Sequence, residues 1–426
     1  MRILVIHNVE WNNTTASGNT LSNWFEEWDE CIFYNIYNRP FSPSNKVCHH
    51  YFRITPFDLL KIDTSSIGEE FIAEFSEKKN SDSEIEKRDN FRRKLFKKTR
   101  KLNMRYLFNI TDKLYAKVKW KNKRYNKFIE DANPELIFTF GVGDTFVYEN
   151  IRYIKSKMPN VKFAMAIVDD VYGNYSKSKS SRSRRCLSQF TWMMENADLI
   201  YAITPMLIQH YEQLFNKKIK LLQKGCLIQP PRTTVNSPLK IVYAGNLAYG
   251  RDDTICAIAK VIDKLNQSKL QLTLDIYTGT SLPEDKENNI SCKKGVTIHN
   301  RLSYEEIMNI MHLSDIVLHV ESFSLKEMEK IRFSFSTKIT DCLQSGSTMM
   351  VIGPKGIASV EETRIMPGAI VIDNLNEIEE RLNNLLQNTM KLIECSKILN
   401  TFAKEKYDIN VVRQNLRKDL FELTQH

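Results

Sequence analysis

A chain of 426 residues is too long for one ordinary core, so two domains are expected. Its 42% hydrophobic and 26% charged residues exclude a disordered chain. The net charge of +10 is concentrated in residues 87–127, with 17 Lys/Arg against Asp89 and Asp112. A general nucleic-acid binder spreads its cations over a binding face with interleaved aromatics, so that class is excluded.

The chain opens on residues 2–7, an apolar run that reads as a first buried strand and is too short and too quickly polar for a secretory signal. Further strands are expected at 31–36, 135–140, 161–168, 198–203 and 219–222, and helices at 20–28, 145–157, 184–196 and 205–215. Strands alternating with helices of this length predict a parallel sheet covered on both faces. Residues 64–130 interrupt the alternation as an insertion, polar and acidic at its front and basic at its back. His49-His50 reads as a surface pair in a loop. The eight cysteines are scattered without a CxxC pair, which predicts reduced thiols and no zinc site. No apolar run reaches the length of a membrane span.

Residues 229–238 hold three prolines and read as a linker, because proline continues neither a helix nor a central strand. The alternation then restarts. Strands are expected at 239–244, 270–277, 295–298, 316–320, 347–352 and 369–372. Helices are expected at 253–266, 303–313, 336–344 and from about 376 to 405, with a last helix over the final 20 residues. Two such halves would place a ligand cleft at the carboxyl ends of their strands.

Three loops of the second half carry the chemistry. Gly245 to Arg251 joins a strand to a helix, and backbone N–H groups at a helix start favour a phosphate. An ordinary loop with an exposed arginine has the same sequence. In the second, Ser336 is a good N-cap, Thr337 and Lys338 fall in the first helical turn, and Lys338 and Asp341 share a face. That pair suits phosphate and ribose, or is a plain surface ion pair. The third, Gly353-Pro354-Lys355-Gly356, ends a strand on the same edge.

In the first half, His7, the turn at Gly18, Asp144, and the pair Asp169 and Asp170 follow or flank strand ends. They suit an acceptor's hydroxyls, and Asp169 and Asp170 suit its deprotonation; helix caps and core packing are the ordinary alternatives. Residues 172–185, rich in Ser, Lys and Arg, read as a loop. Phe91, Leu95, Leu102, Tyr106, Ile110 and Leu114 recur at helical spacing among cations, a pattern for an anionic membrane surface or for an amphipathic helix packed on its own domain.

The stretches 196–205 and 218–226, Gly245 to Arg251, and Ser336 to Gly346 resemble the GT-B nucleotide-sugar glycosyltransferases. The likeness is to the large retaining family that builds bacterial surface polysaccharides. Gly245 to Arg251 is similar to that family's G-R-L-x-x-x-K-G loop, with Asn246 for the arginine and Arg251 for the lysine. Ser336 to Gly346 is similar to its S-T-K-x-x-E-Y-L-x-x-G helix, with Asp341 for the ribose-binding glutamate. Phe333 stands where the first glutamate of E-x7-E falls, and Glu321 takes that role across an insertion. Arg301 and Leu302 lie where the family contacts the base.

The resemblance implies an α/β GT-B fold, two doubly wound Rossmann-like domains facing across a cleft. It implies an acceptor-binding domain at 1–235, a sugar-nucleotide domain at 236–405, and a helix at 406–426 crossing back. It further implies a hexosyltransferase in polysaccharide biosynthesis, retaining and metal-independent. Arg251 and Lys338 would neutralise the departing diphosphate, and Gly245, Asn246, Ser336 and Thr337 would line the donor. The donor would be a UDP- or GDP-linked sugar, a substrate, with no cofactor and no metal. The acceptor would be a glycan or lipid-linked molecule, and the site cytoplasmic, at the inner face of the plasma membrane through residues 87–127. A sugar-nucleotide epimerase of the same fold and a non-catalytic glycosyltransferase-like subunit remain open.

Overall fold

The structure, a computed structural model, describes residues 1–13, 15–73, 90–96 and 105–425, with the side chains of 105–108 excepted. It divides into two compact units: Met1–Ile203 with Ile208–Leu222 and Arg413–His426, and Gln223–Val412 with Thr204–Leu207.

The first unit is built on eight strands: β1 Arg2–Ile6, β2 Ile32–Tyr37, β3 His50–Arg53, β4 Glu69–Ile72, β5 Leu136–Phe140, β6 Lys162–Ile167, β7 Leu199–Ala202 and β8 Lys220–Leu221. Their order is β4-β3-β2-β1-β5-β6-β7-β8, and only the β3–β4 pair is antiparallel. Ile3 to Ile6 are fully buried, as a central parallel strand covered on both faces requires. Because β1 pairs with β2 on one side and β5 on the other, the winding reverses at β1. Its carboxyl end is a topological switch point, where open α/β sheets bind ligands. Trp11, Trp24, Phe25, Phe33 and Phe138 pack around it, largely edge to face.

Two sequence expectations are corrected here, and one alternative is favoured in part. The pair His49-His50 is split: His49 is an exposed loop residue as expected, whereas His50 begins β3 and stacks on Tyr34 at 4.8 Å. The run is too short and polar to announce itself, and pairing with β2 makes it a strand. Residues 172–185 are mostly helical, Val171–Ser176 and Ser181–Asn196. Asp170 accepts from the Gly173 N–H and Ser180 from the Ser183 N–H, two N-caps hidden in a Ser/Lys/Arg-rich stretch. The basic segment is in part packed core: on helix Arg105–Lys117, Asp112 and Tyr115 are buried, and the Tyr115 hydroxyl donates to the Ile54 carbonyl at 2.8 Å. Leu102 lies outside the described residues, as does the Tyr106 side chain.

The last helix, Ile409–Gln425, returns to the first unit. Arg413 pairs with Glu27 at 2.8 Å and Glu26 at 3.1 Å and donates to the Asn23 carbonyl. Asp419 accepts from Tyr201 at 3.0 Å and Lys220 at 2.6 Å. Leu416 and Leu420 are buried.

The second unit holds six parallel strands: β9 Leu239–Ala244, β10 Leu272–Thr278, β11 Val296–Asn300, β12 Ile316–Val320, β13 Thr348–Ile352 and β14 Ile370–Ile372. Their order is β11-β10-β9-β12-β13-β14. Alternate residues of β9 serve opposite faces. Ile241 and Tyr243 pack with Ile255 and Ile258 of helix Arg251–Leu265, while Val242 packs with Ile339 and Leu343 of helix Thr337–Gln344. The winding reverses at β9, so the carboxyl ends of β9 and β12 form the second switch point. Residues 229–238 lie along this unit. Gln229 and Arg232 donate main-chain bonds to Gln344 and Gly346, and buried Asp315 accepts from Asn236 and Lys240. Short helices at Glu284–Ser291, Leu325–Ile331 and Ala358–Arg364 had no clear sequence pattern.

Candidate functional site

The loop after β9 is bent by its own side chains. The Tyr243 hydroxyl donates to the Asn246 carbonyl at 2.6 Å, and Thr280 Oγ1 accepts from the Leu247 N–H at 3.1 Å. Gly250 closes the loop with φ +73°, and a Cβ there would meet Ser322 Oγ at 2.4 Å. The left-handed conformation and the close approach of Ser322 both favour glycine there. The chain therefore enters helix Arg251–Leu265 with the Arg251 side chain directed toward the end of β12.

Arg251 is held on three sides. Its Nε donates to the Val320 carbonyl and to Glu321 Oε2, both at 3.1 Å. Nη2 donates to Glu321 Oε2 at 2.9 Å, and Nη1 to Asn246 Oδ1 at 3.0 Å. Asn246 thus orients Arg251. Glu321 is 2% exposed, and its Oε1 lies 3.0 Å from His319 Nε2. Burial alone would raise the Glu321 carboxyl, but His319 and Arg251 hold it below the usual carboxylate range.

Helix Thr337–Gln344 points its first turn at the same edge. Ser336 Oγ accepts from the Lys338 N–H at 3.4 Å. Lys338 Nζ lies 2.9 Å from Asp341 Oδ2, and the Tyr304 hydroxyl lies 3.4 Å from Asp341 Oδ1. Burial holds the Lys224 ammonium below the usual lysine range, although the charge of nearby Asp341 opposes the shift.

Two cavities follow from this geometry, both within the second unit. One, of about 290 Å³, is lined by Gly245, Asn246, Arg251, Glu321, Ser336, Thr337 and Lys338, with Tyr243, His319, Ile331 and Phe335. The other, of about 390 Å³, is lined by Tyr277, Thr280, Arg301, Leu302, Tyr304 and Ile307 and shares Gly245, Asn246 and Lys338 with the first. The residues expected to bind a donor are thus brought together, with Asp341 reached through Lys338. Two helix starts and two cations at one cavity can hold a diphosphate. Sequence reasoning missed His319, Tyr243 and Tyr304. His319 was legible as the strand residue two before Glu321, on the same face.

The first-unit candidates are placed differently. Asp170 accepts from the Gly173 N–H at 2.9 Å and the Tyr211 hydroxyl at 3.1 Å, so its carboxylate is a helix cap. Asp169 beside it follows β6 and reaches solvent, yet crowding by the surrounding protein and then the Asp170 charge raise its carboxyl. Asp144 caps helix Thr145–Lys157 through the Val147 N–H at 3.2 Å, raised by burial and by Asp112. His7 is buried against Phe140, and its Nδ1 accepts from the Val9 N–H at 3.0 Å. Burial and then Arg39 hold it down to about 4, so the ring is neutral near pH 7. Gly18 lies in helix Ala16–Phe25, where a Cβ would strike the Asn12 carbonyl; its part is close packing. His7, Asp144 and Asp169 nevertheless follow adjacent strands β1, β5 and β6, on one sheet edge. Among the described residues, no three His, Cys, Asp or Glu side chains group as metal ligands, and no helix is long and apolar enough to cross a membrane.

No protein-family model matches the sequence, and no curated protein matches it. Solved structures do match over nearly the whole chain. The Anabaena protein HepE in complex with UDP is 12% identical, with a TM-score of 0.61, over 99% of this chain and 100% of its own. A sucrose-phosphate synthase from Thermosynechococcus elongatus is 10% identical, with a TM-score of 0.57, over 99% of this chain and 98% of its own. The E. coli trehalose-6-phosphate protein bound with UDP-2-fluoro glucose is 10% identical, with a TM-score of 0.59, over 100% and 99%. With the two parallel-rich sheets of the same chain, these likenesses show that the chain has the GT-B fold.

Proposed function

We propose that this chain is a glycosyltransferase that moves a hexosyl group from a UDP- or GDP-linked sugar to a glycan or lipid-linked acceptor in bacterial polysaccharide biosynthesis. The observation that carries the reading is the convergence of Arg251, Lys338 and two helix starts on one cavity. The bond from the anomeric carbon to the diphosphate oxygen breaks, and its electron pair leaves with the diphosphate. Fixed cations aimed at that developing charge lower the barrier without a metal. The acceptor hydroxyl forms the new bond to the anomeric carbon and gives up its proton, for which Asp169 is the first unit's candidate base. Retention of configuration comes from the family resemblance. HepE and the E. coli protein were solved with UDP or UDP-sugars, which supports a sugar-nucleotide donor here.

A panel of UDP-, GDP- and CMP-sugars tests this. One donor is expected to raise the unfolding temperature and to be consumed when an acceptor extract is added. At a concentration about a hundred times Kd the stabilisation is about 2.7 kcal/mol. No stabilisation and no turnover with any of the three would sink the reading.

The cytoplasmic, membrane-peripheral placement is part of the same proposal. Leu60, Ile62 and Phe91 are 69%, 103% and 67% exposed, and Leu95 and Ile110 of the basic segment are exposed as well. Arg92 ties residues 90–96 to Asp58 at 3.3 Å, and Lys61 pairs with the same carboxylate at 3.2 Å. Apolar side chains among cations suit an anionic bilayer surface. Co-sedimentation with phosphatidylglycerol vesicles is expected to fall as salt rises, and to fall at least about tenfold in Ile62→Asp/Phe91→Asp. Binding indifferent to both salt and the double substitution would remove the membrane from the proposal.

A further inference from the structure

Each of the two cations at the cavity carries its own carboxylate: Arg251 with Glu321 at 2.9 Å and Lys338 with Asp341 at 2.9 Å. The two pairs are unlike. Lys338 is 46% exposed and on a flexible stem, whereas the Arg251 side chain is 13% and Glu321 2% exposed. Glu321 is also fixed through its backbone: its N–H donates to the Ile352 carbonyl at 2.9 Å, and its carbonyl accepts from Thr254 Oγ1 at 2.9 Å. Gly353 leaves room for it, since a Cβ there would come within 3.0 Å of the Glu321 Cβ.

Both Glu321 oxygens are already engaged, Oε1 with His319 and Oε2 with Arg251. A carboxylate so occupied acts through its arginine. A buried counter-charge does two things to a neighbouring cation. It fixes the guanidinium plane, leaving one N–H on Nη1 and one on Nη2 without a partner among the described residues. It also offsets the cation's charge, and charge offset at an anion site weakens ground-state binding of the anion.

We propose that Glu321, oriented by His319, is a positioning residue that holds Arg251 and moderates its charge, so that the nucleoside diphosphate product leaves the site. The proposal rests on the donor-site reading above. Binding energy spent on a free diphosphate slows turnover, whereas the same cation fixed in place contributes when the leaving group departs. Charge and position are separate functions, and two substitutions separate them. Glu321→Gln keeps the shape and removes the charge. Glu321→Asp keeps the charge and withdraws it by one methylene.

The test is titration calorimetry of the full chain with UDP and GDP, alongside steady-state transfer. In Glu321→Gln the preferred diphosphate is expected to bind about tenfold tighter, with product inhibition strengthened to match and kcat lowered. In Glu321→Asp the affinity is expected to stay within about threefold while kcat falls about tenfold. His319→Gln, which keeps a donor toward Oε1, is expected to retain wild-type affinity, and His319→Leu to lower kcat. A merely structural role would weaken binding in every variant, which overturns the proposal, as does unchanged or weaker diphosphate binding in Glu321→Gln. If the wild-type chain binds neither UDP nor GDP, the donor-site reading itself fails and takes this proposal with it. Wild-type binding with no tightening in the variant fails the proposal alone.

Discussion

Arg251→Ala is expected to lower kcat/KM for the nucleotide sugar by about two to three orders of magnitude, the usual cost of removing one fixed donor from a developing anion. The loss has two sources. The diphosphate loses a cation whose plane is set by Val320, Glu321 and Asn246. Glu321, 2% exposed, then becomes a buried carboxylate without its guanidinium, aimed at the place where negative charge collects. Lys338→Ala is expected to cost less, about tenfold, because Lys338 is 46% exposed and its charge is screened by water and by Asp341. Steady-state kinetics with the donor varied read both. Equal, small effects in the two variants would mean that burial does not rank these cations, and unchanged turnover in both would end their assignment.

Gly346→Ala is expected to destabilise the second unit by about 3–5 kcal/mol, a loss that combines cavity-free overpacking with a strained backbone. Gly346 sits at φ +70°, directly after helix Thr337–Gln344 and its cap Ser345. An added Cβ would lie 2.2 Å from the Pro230 carbonyl oxygen, and backbone cannot swing aside as a flexible side chain can. The strand-side neighbours are committed as well: the Gly346 carbonyl accepts from the Arg232 N–H at 3.0 Å and from Ser396 Oγ at 2.8 Å. Thermal unfolding is expected to drop by about 10 °C at this unit size. A drop under about 2 °C would show that residues 229–232 yield to the methyl group. Because this glycine closes the helix that carries Lys338, donor affinity is expected to weaken in parallel.

The strands at the centres of both sheets were legible because buried parallel strands are continuous apolar runs, as at Leu4–Ile6 and Ile241–Ala244. Two strands at one end of the first sheet were not. β3 and β4 are held by pairing with a neighbour rather than by their own residues. At the site, Gly245, Arg251, Ser336 and Lys338 could be read because a turn, a cation and an N-cap have local signatures. The partnership of Glu321 with Arg251 could not, since it joins residues on different elements that only the β9–β12 pairing brings together. Asn246, expected to line the donor, lines the cavity and also accepts from Arg251, a partnership its sequence position does not announce. Asp170 looked like a base and caps a helix; sequence alone cannot separate these roles, because both put a carboxylate at a strand end.

The return of the last helix sets an order of events in biosynthesis. Arg413 and Asp419 supply partners for Asn23, Glu26, Glu27, Tyr201 and Lys220, so the sheet that leaves the ribosome first is completed by segments made after the whole second unit. Domains emerging from a ribosome ordinarily fold as contiguous blocks, N-terminal first. Here the nascent first unit waits with the Leu416 and Leu420 docking surface uncovered, and the second unit has time to close before it. The second unit is therefore complete, by this order, ahead of the first, and a nascent fragment ending near Leu222 would lack the helix that completes its own unit.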